Sequence, residues 1–239
     1  MKPMSVPLSI AFFGVPAVVF YAVTHTGIPA FVRATGGLPV IVWFVSGGLF
    51  VFVPLLILSI AAYWLEGRKP AWGDFSGRFR LRVMTSADWL WTFGAIAVIS
   101  FLSGAVVGVL MLLHRVLPLG EFSLSPPFLD FKGLEDGQLW ILLVWLPFFF
   151  FNIVGEEFLW RGYILPRQEA RNGHSAWLVN AVLWAVFHAC FGWRLIAVLL
   201  PILFILPYVV QRRGNTWIGI CIHGVVNGAS FLAIAFAHP

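Results

Sequence analysis

Residues 140–162 read WILLVWLPFFFFNIVGEEFLWRG: sixteen residues without a charge, then the adjacent carboxylates Glu156 and Glu157, then Arg161. A helix rising 1.5 Å per residue needs about 20 apolar residues to cross roughly 30 Å of hydrocarbon, and this run supplies them. An ionised carboxylate in that layer costs roughly 3 kcal/mol even on lenient insertion scales, so each of the two acids needs a partner, a proton or a task.

The remainder of the chain is of the same kind. Of 239 residues, 60% are hydrophobic and 10% are charged, with a mean hydropathy of +0.92. A soluble domain keeps about a quarter of its residues charged, so the composition indicates an integral membrane protein. Cys190 and Cys221 lie in apolar stretches outside any CxxC, which points neither to a disulfide framework nor to a zinc knuckle. No feature suggests a nucleic-acid partner; the surrounding partner is membrane lipid.

Apolar runs place seven spanning helices at approximately 7–25, 39–65, 88–113, 138–162, 176–192, 195–211 and 216–236. The first is read as a span and not as a cleaved signal, because Pro7 and Pro16 interrupt it and no clear small-x-small site follows. With the N-terminus inside, eleven Lys and Arg fall in inner segments and four, Arg33, Arg115, Lys132 and Arg194, in outer ones, as positive charge retained in the cytoplasm requires. The expectation is an all-α, polytopic helical bundle, one transmembrane domain over residues 1–239, in a prokaryotic cytoplasmic membrane.

Two connections are long. Residues 66–87 carry five Lys or Arg interleaved with Trp72, Phe75, Phe79 and Leu81, which predicts a segment lying on the inner headgroup surface. Residues 114–137 mix Pro118, Pro126 and Pro127 with Glu121, Asp130, Glu135 and Asp136 and predict an irregular outer loop. The GxxxG pairs Gly104/Gly108 and Gly224/Gly228 predict close helix packing within the chain. His25, His114, His174 and His238 fall at helix ends or in loops, where a histidine is interfacial.

The buried polar residues concentrate in the last four spans. Glu157 and Arg161, at i and i+4 in the favourable order, form a self-neutralising pair. Glu156 points about 100° away, with Asn152 one turn earlier on its own face. His188 stands on the next span, and His223 with Asn227 one turn later on the last. Each would cost kilocalories if left unpaired, so together they predict a shared polar cavity. Such a set can hydrolyse an amide: Glu156 as general base with His188 holding a water, His223 and Asn227 donating to the developing oxyanion. Glu156, His188 and His223 can equally be three ligands of a catalytic zinc with an open fourth position. Straight spans would leave Glu156 and His188 about 10 Å apart in depth. Either the helix bearing His188 begins deeper, or residues 173–176 re-enter the membrane.

Glu156-Glu157-Phe-Leu-Trp-Arg161-Gly162 matches an EExxxR-G motif, Trp184-Ala-Val-Phe-His188 matches FxxxH with Trp in place of Phe, and His223-Gly-Val-Val-Asn227 matches HxxxN. In this order, over residues 140–235, they resemble the CPBP intramembrane proteases, which include the type II CAAX prenyl endopeptidases and the Abi or bacteriocin-processing proteins. The resemblance implies a membrane-embedded peptidase in which Glu156 and His188 activate water, His223 and Asn227 stabilise the oxyanion, and Glu157 and Arg161 support them. It implies a lipidated, CAAX-type prenylated or hydrophobic membrane peptide as substrate, approached from the cytoplasmic side. Trp184 keeps a bulky aromatic on the face of His188. No HExxH or GxGD motif points to another intramembrane protease chemistry. The alternative from another class is a non-proteolytic membrane protein, an ion-coupled transporter or an immunity or scaffold factor, built on the same polar network.

Overall fold

A computed structural model describes residues 2–117, 123, 125–129, 131 and 133–236. Expectations placed on Pro118, Glu121, Asp130, Lys132 and His238 lie outside the described residues. The described chain is all-helical: α1 (Val6–Thr35), α2 (Pro39–Leu65), the short α3 (Trp72–Arg78), α4 (Ser86–Val116), α5 (141–172), α6 (Ala176–Phe187), α7 (Trp193–Arg213) and α8 (Thr216–Ala235). Six helical stretches are long and apolar enough to cross a membrane, α5 and α6 together making up one of them. The protein is an integral membrane, polytopic helical bundle, as its composition requires.

The seven apolar helices fall where the hydrophobic runs place them, with one correction. At twelve residues, α6 reaches about 18 Å and cannot cross alone. It rises from the end where α5 finishes, stops at His188, turns through Ala189–Phe191 and hands over to α7, which returns to the same end. The backbone N–H of Trp177 at the start of α6 donates to the Gln211 side chain near the end of α7, 2.6 Å away.

Neither anticipated remedy for the depth mismatch occurs. Instead α5 runs ten residues past Gly162, through a π-helical stretch at Glu157–Ile164, to Asn172. Gly173, at φ +57°, makes the turn. Glu156 is sixteen residues before Asn172 and His188 fifteen after Gly173, so the two arms of the hairpin are nearly equal and bring both groups to one level.

The end of the bundle that holds this turn is the basic one, and residues 66–85 close it. The segment does not lie flat on a headgroup surface. It folds under the helices, burying Phe79 completely while Trp72 remains exposed. Arg78 holds it there, donating to both carboxylate oxygens of Glu66 (2.7 and 2.9 Å) and to the carbonyls of Gly162 and Tyr163 on α5. Arg80 is the sole described non-glycine residue at positive φ (+55°), a conformation that costs of order 1–3 kcal/mol. It is over-determined by a two-pronged pair with Glu169, 2.8 Å for each bond, and by its carbonyl, which accepts from Thr216 at the start of α8.

Between helices in lipid, close packing substitutes for a hydrophobic drive. Phe13 of α1 stacks on Trp160 of α5 with ring centres 4.0 Å apart. Gly224 and Gly228 lie against the Phe149 ring, as their spacing predicts, whereas a methyl group at Gly104 or Gly108 would meet nothing within 4 Å. The Gly104/Gly108 pair therefore packs closely against no described part of the chain. Gly155 marks the closest approach to another helix's backbone among the described glycines: a Cβ there would stand 2.5 Å from the Phe52 carbonyl oxygen on α2. Gly155→Ala should accordingly destabilise the detergent-solubilised protein by about 1–3 kcal/mol in thermal or denaturant unfolding, because backbone cannot yield as a side chain does.

Burial pushes the Glu66 carboxyl up, but the Arg78 guanidinium overrides it and holds the group below its ordinary 4.5. A folded-state value below the unfolded one gives stability that is present above about pH 4.5 and is lost as pH falls through the folded value. Melting temperatures measured down this range should drop, and Glu66→Gln should flatten that part of the profile.

Candidate functional site

The polar residues singled out in the sequence meet in the interior, at the level set by the α5–α6 hairpin. Glu156 and Glu157, adjacent on α5, diverge at the start of the π-helical stretch, a distortion common at functional sites. Glu156 faces α6. Its Oε1 accepts from the Asn152 amide (2.8 Å) and its Oε2 from the indole N–H of Trp184 (2.5 Å), with His188 Nε2 4.0 Å from Oε2. Glu157 faces α8. Its Oε1 accepts from His223 Nδ1 at 3.0 Å and lies 3.3 Å from the Arg161 guanidinium, confirming the i, i+4 ion pair.

Both carboxylates and Arg161 are fully buried, and His188 and His223 are nearly so. Nδ1 carries a proton in both histidines, because a carbonyl or carboxylate oxygen can only accept. His188 Nδ1 donates to the Trp184 carbonyl at 2.9 Å, leaving Nε2 as the free atom turned toward Glu156. His223 Nδ1–H donates to Glu157. Asn227 reaches Asn152, amide to carbonyl oxygen, at 3.5 Å. Asn152 thereby links the acid of α5 to the amide of α8.

Trp184 is the residue sequence reasoning undervalued. It does more than present an aromatic surface: its N–H binds Glu156, its ring carries the Arg161 guanidinium at 3.5 Å, and both histidines meet it edge-on at 5.3 and 5.4 Å. The phenylalanine that the FxxxH motif carries at this place has no N–H to give. Gly219 was also missed. The Glu157 carboxylate occupies the space a Cβ at Gly219 would need. Its position, one helical turn before His223 on the same face, was the available signal.

A cavity of about 730 Å³ adjoins this cluster. His188, Asn152 and Asn227 form its polar wall, and aromatic side chains such as Phe148, Phe149 and Phe52 form much of the rest. Glu156 and His223 stand just behind that wall. His25 stacks on Tyr21 and His174 is exposed, both away from the cluster.

Residues 138–229 match the family model described as type II CAAX prenyl endopeptidase Rce1-like. Over these residues the chain is similar to the CPBP/CAAX protease family. No curated protein and no solved structure matches the chain. The Rce1-like region begins two residues before Trp140 and ends two after Asn227, and so contains every residue of the cluster. The match supports CAAX-type intramembrane endopeptidase activity in general.

The zinc arrangement does not fit this donor set. Among the described residues no three His, Cys, Asp or Glu side chains are gathered to hold a metal ion.

Arg161 owes its tolerance to Glu157 and to the Trp184 face, since none of its nitrogens has a hydrogen-bond partner among the described residues. Glu157→Gln should strip that buried charge of its ion-pair partner and destabilise the Rce1-like domain by about 3–5 kcal/mol. Adding Arg161→Met should recover much of the loss, a double-mutant cycle readable in thermal unfolding.

Proposed function

We propose that this protein is an intramembrane endopeptidase hydrolysing a peptide bond in a lipidated, CAAX-type prenylated or hydrophobic membrane peptide. The observation that carries the reading is the approach of His188 Nε2 to Glu156 Oε2 at 4.0 Å beside the cavity. That separation is too long for a direct hydrogen bond and lets one water molecule bond to both atoms.

In this scheme Glu156 takes a proton from the bound water while His188 Nε2 holds it, and the oxygen attacks the carbonyl carbon of the scissile bond. The carbonyl oxygen, gaining negative charge, accepts from the Asn227 amide and from His223 Nε2–H. Glu157, hydrogen-bonded to His223 Nδ1, supplies the negative charge that stabilises an imidazolium with both ring N–H groups. The tetrahedral intermediate collapses with cleavage of the C–N bond, and the proton held by Glu156 passes to the leaving amine. Asn152 and Trp184 fix the carboxylate so that its geometry does not change as it is protonated.

Purified protein given fluorogenic membrane peptides, prenylated and unprenylated, should cleave at least one class. Glu156→Ala and His188→Ala should each reduce the rate by about 10²–10⁴-fold with circular dichroism unchanged. Undiminished cleavage in either variant overturns the assignment. Trp184→Phe, which restores the residue of the FxxxH motif but deletes the N–H, removes a hydrogen bond to a charged group and should lower kcat about 10–100-fold. Its effect should fall on kcat and not on KM, since the indole touches the carboxylate and not the peptide.

A further inference from the structure

The cavity lies on one side of the catalytic cluster only. Its lining comes from Asn152 and residues earlier in α5, and from residues later than His223 in α8, the halves that point away from the basic end. Ser125, Pro126 and Leu129, in the connection at the opposite end, also line it. Toward the basic end the cluster is sealed by fully buried Trp160, Arg161 and Phe79 and by the 66–85 segment that Arg78 clamps in place.

The cavity's exposed lining is Ser100 on α4, Ser125 in the connection that follows it, and Val225, Ala229, Ser230 and Ile234 on α8. No Asp, Glu, Lys or Arg lines it among the described residues. Charge distributes oppositely. Ten of the fifteen Lys and Arg flank the sealed end, whereas Arg33, Arg115 and Arg194 stand toward the open one.

Resting on the peptidase reading above, we propose that the substrate enters from the side opposite the basic face, past the exposed lining of α4 and α8. Positive charge retained inside makes that the extracytoplasmic side. The substrate class narrows accordingly to an apolar peptide segment, uncharged around its scissile bond, that is anchored in the outer leaflet or exported to it. A peptide lipidated and held in the cytoplasmic leaflet would meet the sealed end. This reverses the cytoplasmic approach that the sequence resemblance implies.

Single cysteines introduced as Ser230→Cys and Gly73→Cys into a Cys190→Ala/Cys221→Ala background test the direction without requiring activity. In cells expressing the protein, a membrane-impermeant maleimide added outside should label Ser230→Cys and not Gly73→Cys, with the pattern reversed in inverted vesicles. Labelling of Ser230→Cys from the Gly73 side, or from neither side, overturns the proposal.

Reconstituted wild-type protein given an apolar fluorogenic peptide on one face at a time should cleave only from the Ser230 side, and cleavage from the Gly73 side overturns it. Labelling as expected combined with no cleavage even in detergent overturns the peptidase reading while the direction of access stands. The two failures are therefore distinguishable.

Discussion

An arginine with no water around it sets the terms for this bundle. Arg161 is fully buried in the middle of the helices, and a guanidinium is always charged. The interior must supply what solvent would, and it does so with the Glu157 carboxylate and the face of Trp184. Once Trp184 is held flat beneath that charge, its N–H can point only along the ring plane, and there it finds Glu156. Glu157, turned the other way, holds His223. The structural ion pair and the candidate catalytic set are thus one network, joined through a single indole.

Much of this was legible from spacing. Helical geometry separated Glu156 from Glu157, paired the latter with Arg161, and put Asn152 one turn from Glu156, all as found. The seven apolar helices fell near their hydrophobic runs because charge is excluded from lipid. What spacing could not reveal is where a helix continues after its apolar run has ended. The stretch 163–172 is polar enough to look like a loop, yet it stays helical because it is anchored at the basic end. Met4 N donates to the Arg167 carbonyl, Asn180 to Gln168, and Glu169 grips Arg80. Two of those contacts, from Met4 and from Arg80, come from parts of the chain far away in sequence. The roles of Trp184 and Gly219 escaped for a similar reason: an indole N–H or a missing Cβ acquires meaning only from what stands opposite.

The connection 66–85 illustrates a related limit. Its basic and aromatic residues read as a membrane-surface segment, and Trp72 retains that character. The others serve the interior instead. Arg78 is buried against two α5 carbonyls, and Phe79 fills the space left by Gly162. Composition identifies such a segment as amphipathic. It does not say whether the apolar side meets lipid or protein.

The turn at Gly173 gives the molecule a built-in caliper. Glu156 and His188 sit at the tips of two arms of nearly equal length, closed on each other at one hinge. One residue added to a single arm would lift its tip by about 1.5 Å and swing it by about 100°. Lengthening both arms together would carry the pair to another depth with its separation intact. The number of residues between the two groups is therefore under tighter restraint than the identity of most residues it counts. Change at this site is tolerated more readily by exchange of side chains than by any alteration of length.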